Sequence, residues 1–191
     1  MSAVRVGIQG IIGSTNYRAA QLFAERHGWK DLDVIPLINS RQLLSAVAER
    51  LVDYGTVAWE SRAGIVLESE LAMRDFTFER VDELVLQINH AILIPRHGKL
   101  DRSETVLVRS HPQALIEHES VLRKTFPQLE LVPEEDTALA AKLLSSGAYP
   151  SNCVVVAPIE CATIYGLEVL LRSLPSNAGY WVRIFLLKAA G

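Results

Sequence analysis

The chain has 191 residues, of which 49% are hydrophobic and 21% are charged, and its formal net charge is −3. This composition is too apolar for intrinsic disorder, and the length suits one domain or two small lobes with a sizeable core. The weak negative charge creates no field that would attract nucleic acid or an anionic membrane, so neither is expected as a partner. Without a signal-peptide pattern or an apolar stretch of the about 20 residues that cross a bilayer, the protein is expected to be cytoplasmic.

Strands and helices alternate along the first third of the chain. Short apolar runs predict strands at residues 4–9, 34–37 and 56–59. A helix that ends at Gly28 is predicted after the first strand, and Ser40 is the predicted N-cap of the next helix. This alternation favours right-handed βαβ units and a mostly parallel sheet.

The same alternation returns after a long apolar run at residues 84–94, whose length suits a crossing between two lobes. Beyond that run, the predicted strands are residues 105–108, 129–132, 153–156 and 180–187, and the predicted helices are residues 114–126, 137–144 and 158–165. The last helix is expected to begin at Pro158 and to end before Gly166. Two α/β lobes with a cleft between them are therefore predicted.

The cysteines and histidines provide no metal-binding pattern. Cys153 and Cys161 lie in apolar stretches outside any CxxC or Cys/His spacing, so both are expected to be reduced core thiols. Neither a metal nor a cofactor is expected. His90 is expected to be a hydrogen-bonded core residue, whereas three others are expected to be solvated: His27, His97 and His118.

Two candidate sites follow strands in the first part of the chain, where ligands bind in open α/β sheets. After residues 4–9, Gly13 permits a sharp turn, and Ser14 or Thr15 can cap the next helix and offer a hydroxyl. A plain strand-to-helix turn explains this loop equally well. Glu60 leaves a buried strand, so its carboxylate is either paired or perturbed, and a surface pair with Arg62 is the structural alternative.

Two further candidates lie in the second half. Ser110 is well placed as an N-cap, so the amides that follow it, up to Gln113, would face a bound carboxylate; simple capping is the alternative. Arg183 is a lone charge in an apolar strand and needs a partner. A ligand carboxylate would suit its guanidinium fork, and an internal salt bridge, perhaps to Glu60, is the competing explanation.

Taken in order, six segments resemble the prephenate dehydratase family over nearly the whole chain. SHPQAL stands intact at residues 110–115 and is the most specific match. The others are a GPEGSFSEAA-like loop at 10–20, VPIENS at 57–61, the crossing strand at Glu83 and 88–90, an STAxAA-like helix start at 136–141 and YGLxVL at 165–170.

The resemblance implies a two-lobe α/β fold of the type II periplasmic-binding-protein kind with prephenate in the cleft, and a homodimer. Lobe 1 would comprise about residues 1–80 plus 174–191, lobe 2 about 85–170, and residues 1–191 would form one domain without the family's C-terminal regulatory domain. The implied catalytic positions are Glu60, Val182 and Arg183. The implied substrate contacts are Gly13, Ser14, Thr15, Ser61, Ser110, His111, Gln113, Tyr180 and Arg183.

The family's N-x-T-R-F segment falls on residues 180–184, where Arg183 survives but Val182 replaces the threonine. Other departures from the family pattern are Ile12, Ser61, Tyr180 and Ile184. Dehydratases lose CO2 and a ring hydroxyl together, and the departing oxygen needs a proton donor. Valine is nearly isosteric with threonine but cannot donate a hydrogen bond.

The missing hydroxyl predicts a prephenate decarboxylase that keeps the ring hydroxyl, similar to the bacilysin-type enzymes of natural-product and antibiotic biosynthesis. One alternative is a prephenate dehydratase of aromatic amino acid biosynthesis with a substitute donor such as Ser14, Ser61 or Tyr180. The other is a non-catalytic module that binds prephenate or a similar small molecule.

Overall fold

The structure is a computed structural model that describes residues 3–172, 174 and 179–191. The chain forms two compact units. The first unit combines the chain up to Ile88 with Tyr180–Gly191, and the second unit is Asn89–Gly179. The apolar run at residues 84–94 therefore crosses from the first unit to the second. It is divided between two strands, which belong to different sheets.

The first unit contains a six-stranded sheet in the order β2-β1-β3-β11-β5, with β4 paired to β3. Its elements are β1 (Val4–Ile8), α1 (Thr15–His27), β2 (Leu32–Pro36), α2 (Ser40–Ala48), β3 (Tyr54–Ser61), β4 (Gly64–Ile65), α3 (Leu67–Met73), β5 (Phe78–Gln87) and β11 (Trp181–Ala189). Strand β1 is parallel to β2 and β3, whereas β11 is antiparallel to β3 and β5. The expectation of a mostly parallel sheet is wrong, because the returning β11 enters between β3 and β5.

The second unit contains a five-stranded sheet in the order β10-β6-β9-β7-β8. Its elements are β6 (His90–Ile94), β7 (Val106–Ser110), α4 (Pro112–Thr125), β8 (Leu129–Pro133), α5 (Thr137–Ser145), β9 (Cys153–Pro158), α6 (Glu160–Tyr165) and β10 (Glu168–Leu171). Strand β7 is parallel to β8 and β9, and β6 is antiparallel to β9 and β10. The carboxyl ends of β7, β8 and β9 therefore share one edge.

The two faces of β11 contribute to different parts of the core, because side chains alternate along a strand. Val182, Ile184 and Leu186 pack in one cluster with Phe23 of α1. Phe185 and Leu187 pack in another cluster with helix α2. Burying a side chain such as that of Phe23 stabilises the fold by about 1.5–3 kcal/mol. This alternation places Arg183 on the face opposite Val182.

The starts of α2 and α6 depart from the predictions. The N-cap of α2 is Asn39, whose Oδ1 accepts from Gln42 N at 3.0 Å, and Ser40 is already the first helical residue. Pro158 ends β9, and α6 begins at Glu160. Three short elements, β4, α3 and β10, have no counterpart among the predicted elements.

Two local predictions are confirmed, the end of α1 and the state of the two cysteines. Gly28 ends α1 with a φ of 67°, a left-handed conformation that glycine adopts without strain. Cys153 and Cys161 are both buried free thiols. In the described part of the chain, no helix is both long and apolar enough to cross a membrane.

Candidate functional site

The loop after β1 is built by glycines and closed by a helix cap. Gly10 and Gly13 have φ values of 90° and 89°, which side-chain-bearing residues rarely adopt. Ser14 is the N-cap of α1, as predicted, and its Oγ accepts from Tyr17 N at 3.2 Å. Its hydroxyl also reaches Gln9 O at 3.5 Å. Thr15 is the first residue of the helix rather than its cap.

Val182 is buried at the start of β11. Its side chain is 6% exposed and packs with Ala19, Phe23 and Leu86. Ser61 of β3 lies directly opposite Val182 in the ladder, and such cross-strand partners have Cβ atoms about 4.5–5.5 Å apart. The Ser61 hydroxyl accepts from Ala63 N at 3.2 Å and donates to Gly64 O at 3.5 Å. A hydroxyl is therefore present beside Val182, and it is engaged in the turn to β4.

Arg183 forms the internal salt bridge that was the competing explanation for its charge. Its Nε donates to Glu60 Oε2 at 3.2 Å, and its Nη1 donates to Glu83 Oε1 at 2.7 Å. Arg80 lies 3.5 Å from the other oxygen of Glu83. Two glutamates and two arginines thus balance one another on this face of the sheet, and two donors of the Arg183 fork are occupied by the protein's own carboxylates.

Ser110 is not a helix cap, contrary to the prediction. It is the fully buried last residue of β7, and its Oγ donates to Val156 O at 2.6 Å. His111 is the N-cap of α4, and its Nδ1 accepts from Gln113 N at 3.2 Å. The cap moves by one residue because Pro112 occupies the first turn of the helix, where its missing N–H costs nothing.

Three consecutive carboxylates follow β8 at the same edge: Glu134, Glu135 and Asp136. Glu134 N donates to Ser110 O at 2.8 Å, which ties this turn to the end of β7. The Glu134 side chain forms an ion pair with Arg109, in which Oε1 lies 2.5 Å from Nη1. An open depression of about 390 Å³ lies between the two turns and is lined by His111, Pro112, Pro133, Glu134 and Glu135.

Asp136 is the N-cap of α5, and its Oδ1 accepts from Leu139 N at 2.7 Å. Burial raises the pKa of Asp136 to about 6, although hydrogen bonds from the backbone of Leu139 and Ala138 act in the opposite direction. In the sequence, Asp136 is recognisable only as part of a helix-start motif. The sequence does distinguish this position, because Asp136 stands where the STAxAA-like motif has serine.

The second unit also contains a buried histidine pair. His90 Nδ1 and His118 Nε2 are 2.9 Å apart, and both residues are almost fully buried. Burial lowers the pKa of His90 to about 3 and that of His118 to about 4, so both rings are neutral at pH 7. The expectation that His118 is solvated is wrong: with Ala114 and Leu122 it lies on the buried face of α4. Ala114, His118 and Leu122 are spaced four residues apart, and this spacing in the sequence indicates one face of a helix.

Residues 6–190 match the family described as prephenate dehydratase. The chain belongs to the prephenate dehydratase family. Arogenate dehydratase 2 of Petunia hybrida is 30% identical over 190 residues, which cover 97% of this chain and 45% of that protein. The bifunctional chorismate mutase/prephenate dehydratase of Enterobacter agglomerans is 24% identical over 186 residues, covering 97% of this chain and 47% of that protein. The chain thus spans less than half of either relative.

A solved structure supports the fold independently. The prephenate dehydratase of Arthrobacter aurescens in complex with L-Phe superimposes with a TM-score of 0.82 at 21% identity, covering 98% of this chain and 61% of that chain. The predicted α/β architecture is therefore confirmed. Among the described residues, no group of three or more His, Cys, Asp or Glu side chains is arranged to hold a metal ion.

Proposed function

We propose that this domain binds prephenate, or a close analogue, and releases CO2 while keeping the ring hydroxyl. It would be a non-aromatising prephenate decarboxylase, whose dihydro-4-hydroxyphenylpyruvate product serves natural-product rather than phenylalanine synthesis. The observation that carries this proposal is Val182, a buried apolar side chain at the position where the family pattern has threonine.

The chemistry follows from the missing donor. Loss of CO2 sends the electron pair of the breaking bond into the ring diene. In a dehydratase this pair expels the hydroxyl as the oxygen takes up a proton, and such a proton transfer contributes about two to four powers of ten in rate. Without a donor at that oxygen, the electron pair ends on a ring carbon, which takes up the proton instead. The net reaction consumes one proton and yields CO2 and a non-aromatic diene.

A second candidate function is dehydration with Ser61 as the substitute donor. Its hydroxyl lies on the strand directly opposite Val182, about one cross-strand spacing from the missing threonine hydroxyl. The relatives named as arogenate dehydratases make arogenate a second substrate worth testing. Both functions share the binding of a cyclohexadienyl acid.

Incubation with prephenate, and separately with arogenate, tests these functions by their products. We expect CO2 release, loss of substrate and a non-aromatic product in which mass spectrometry and NMR detect the hydroxyl. Efficient formation of phenylpyruvate by the wild-type protein would refute the decarboxylase and support the dehydratase. Binding of unchanged prephenate would identify a non-catalytic module.

Val182→Thr sharpens the test because it restores the hydroxyl with little change in volume. We expect partial phenylpyruvate formation, at a cost of about 1–3 kcal/mol in the free energy of unfolding for a buried hydroxyl. Val6→Thr is the matched control, since Val6 is a fully buried valine in β1 of the same sheet. If neither variant forms phenylpyruvate while both remain folded, Val182 does not determine the outcome of the reaction.

A further inference from the structure

The turn between β2 and α2 has a backbone conformation that its sequence disfavours. Ile38 has a φ of 49°, and a β-branched residue with a positive φ is an outlier because its side chain crowds the backbone there. Asn39 N also donates to Leu37 O, which closes a γ-turn of the rare, strained type around Ile38. Such strain persists only where the surrounding structure enforces it, and it is concentrated at functional sites.

Hydrogen bonds on both sides hold this turn in place. Ile38 O accepts from Gly10 N at 2.9 Å, which joins the turn to the loop after β1. Ser40 N donates to Glu68 Oε1 at 2.8 Å, which joins the start of α2 to α3. The fold therefore imposes a positive φ on an isoleucine, although glycine or asparagine would adopt it more easily.

The strained turn presents an apolar side chain to solvent. Leu37 packs against the core cluster that contains α2, whereas Ile38 is 45% exposed, so nearly half of its surface remains available to a ligand. The turn lies at the carboxyl ends of β1 and β2, where ligands of open α/β sheets bind. It is bonded to the loop that carries two implied substrate contacts, Ser14 and Thr15. All of these residues belong to the first unit.

We infer that Ile38 covers a nonpolar face of the substrate ring and sets the affinity of the first unit for cyclohexadienyl acids. This inference rests on the proposed function, which supplies the ligand. Prephenate and arogenate carry charged groups, which amides and hydroxyls can bind, but the two faces of their carbon ring are nonpolar and need an apolar contact. A side chain held on a fixed turn provides this contact with little further ordering on binding.

Ile38→Gly and Ile38→Asn test this role, because both substitutes tolerate a positive φ and neither has an apolar side chain of this size. We expect the Kd for prephenate, measured by calorimetry, to rise about tenfold in each variant, since about half of an isoleucine side chain is no longer covered. The midpoint of urea denaturation should not fall below that of the wild type, because the substitutions relieve strain.

Two further variants separate the contact from the conformation of the backbone. Ile38→Val keeps a β-branched apolar side chain, so its Kd should stay within about threefold of the wild type. Arg50→Gly is the matched control, since Arg50 is an exposed residue with a φ of 57° just after α2. This control should leave the Kd for prephenate unchanged.

Kd values within about threefold of the wild type in both the Gly and the Asn variant would overturn the inference. A lower urea midpoint in both would also overturn it, because Ile38 would then stabilise the turn. Product identity tests the proposed function separately: phenylpyruvate from the wild type overturns the decarboxylase, while the Kd values still decide the role of Ile38. A wild-type protein that binds neither prephenate nor arogenate overturns both.

Discussion

The two units differ in how deeply they bury their titratable groups. In the first unit, Arg183 bridges Glu60 and Glu83 on a strand surface where all three side chains are about one-third to two-fifths exposed. In the second unit, His90 and His118 are almost fully buried and contact each other, and Asp136 begins an alanine-rich helix. Within the described part of the chain, the pKa values that burial displaces strongly all belong to the second unit.

The difference in burial determines which titratable groups have displaced pKa values. Ion pairs between exposed groups keep both partners charged and contribute little to stability. Burial without a counterion moves a pKa toward the neutral form, and such displaced groups mark sites of proton transfer more often than chance. The displaced pKa values of the second unit therefore reflect its more deeply buried titratable groups.

The largest expected effect on stability comes from the histidine pair. In the unfolded chain each histidine has a pKa of about 6.5, whereas the folded values are about 3 and about 4. The unfolded state therefore binds protons first, and the stability present above pH 6.5 is lost as pH falls toward 4. We expect a loss on the order of 5 kcal/mol in the free energy of unfolding between pH 7 and pH 4.5, roughly half from each histidine, measured by urea denaturation.

The double variant His90→Leu/His118→Leu should reduce this acid loss, because replacing both partners by apolar groups leaves neither unsatisfied. His27→Gln is the control from the first unit, since His27 pairs with Asp82 near the surface. An acid loss of equal size in wild type and double variant would show that the pair is not its source.

A smaller effect is expected from Ser110→Ala. The variant leaves Val156 O without its buried donor, which should cost about 1–3 kcal/mol of unfolding free energy. Because the hydroxyl points into the sheet and not into the depression, prephenate affinity should stay within about threefold. Ser14→Ala is the counterpart in the first unit and should cost about 1 kcal/mol through loss of a cap. A large loss of affinity in a stable Ser110 variant would assign that hydroxyl to the substrate.

The smallest effect on stability is expected from Arg183→Lys. One ammonium group cannot reproduce the two directed bonds to Glu60 and Glu83, but the pairs are partly exposed, so the change should be at most about 1 kcal/mol. Because the fork is already engaged by these glutamates, prephenate affinity should change less than about threefold. A tenfold weaker Kd, measured by calorimetry on a folded variant, would instead show that Arg183 holds a substrate carboxylate.

Local patterns made much of the fold predictable. Alternating apolar runs located the principal strands, and Ser14 and Gly28 marked the ends of α1 because capping is a local interaction. The sheet order was not predictable in this way. The antiparallel entry of β11 between β3 and β5 depends on pairing between residues about 100 positions apart, which no local pattern encodes.

Side-chain partners were harder still to predict. The sequence pattern marks Arg183 as a lone charge in an apolar strand and suggests Glu60 as its internal partner, but it does not indicate Glu83, which lies on another strand. Arg109 is likewise a lone charge in the apolar strand β7, but the sequence pattern does not indicate its ion pair with Glu134. The raised pKa of Asp136 could not be predicted from the sequence, because it arises from burial in the folded chain.

The position of β11 has a consequence for synthesis of the protein. Strand β5 has β11 as its only neighbour in the described sheet, and β11 follows the whole second unit in sequence. The second unit is continuous in sequence and can close while the ribosome is still adding residues, whereas β5 has no partner until residues 181–189 emerge. A ribosome-bound chain that ends before Trp181, extended by a linker long enough to span the exit tunnel, should therefore protect the second unit from protease and leave β5 open to cleavage. Its apolar Leu84 and Leu86 would be exposed throughout that interval, when chaperones and other nascent chains compete for them.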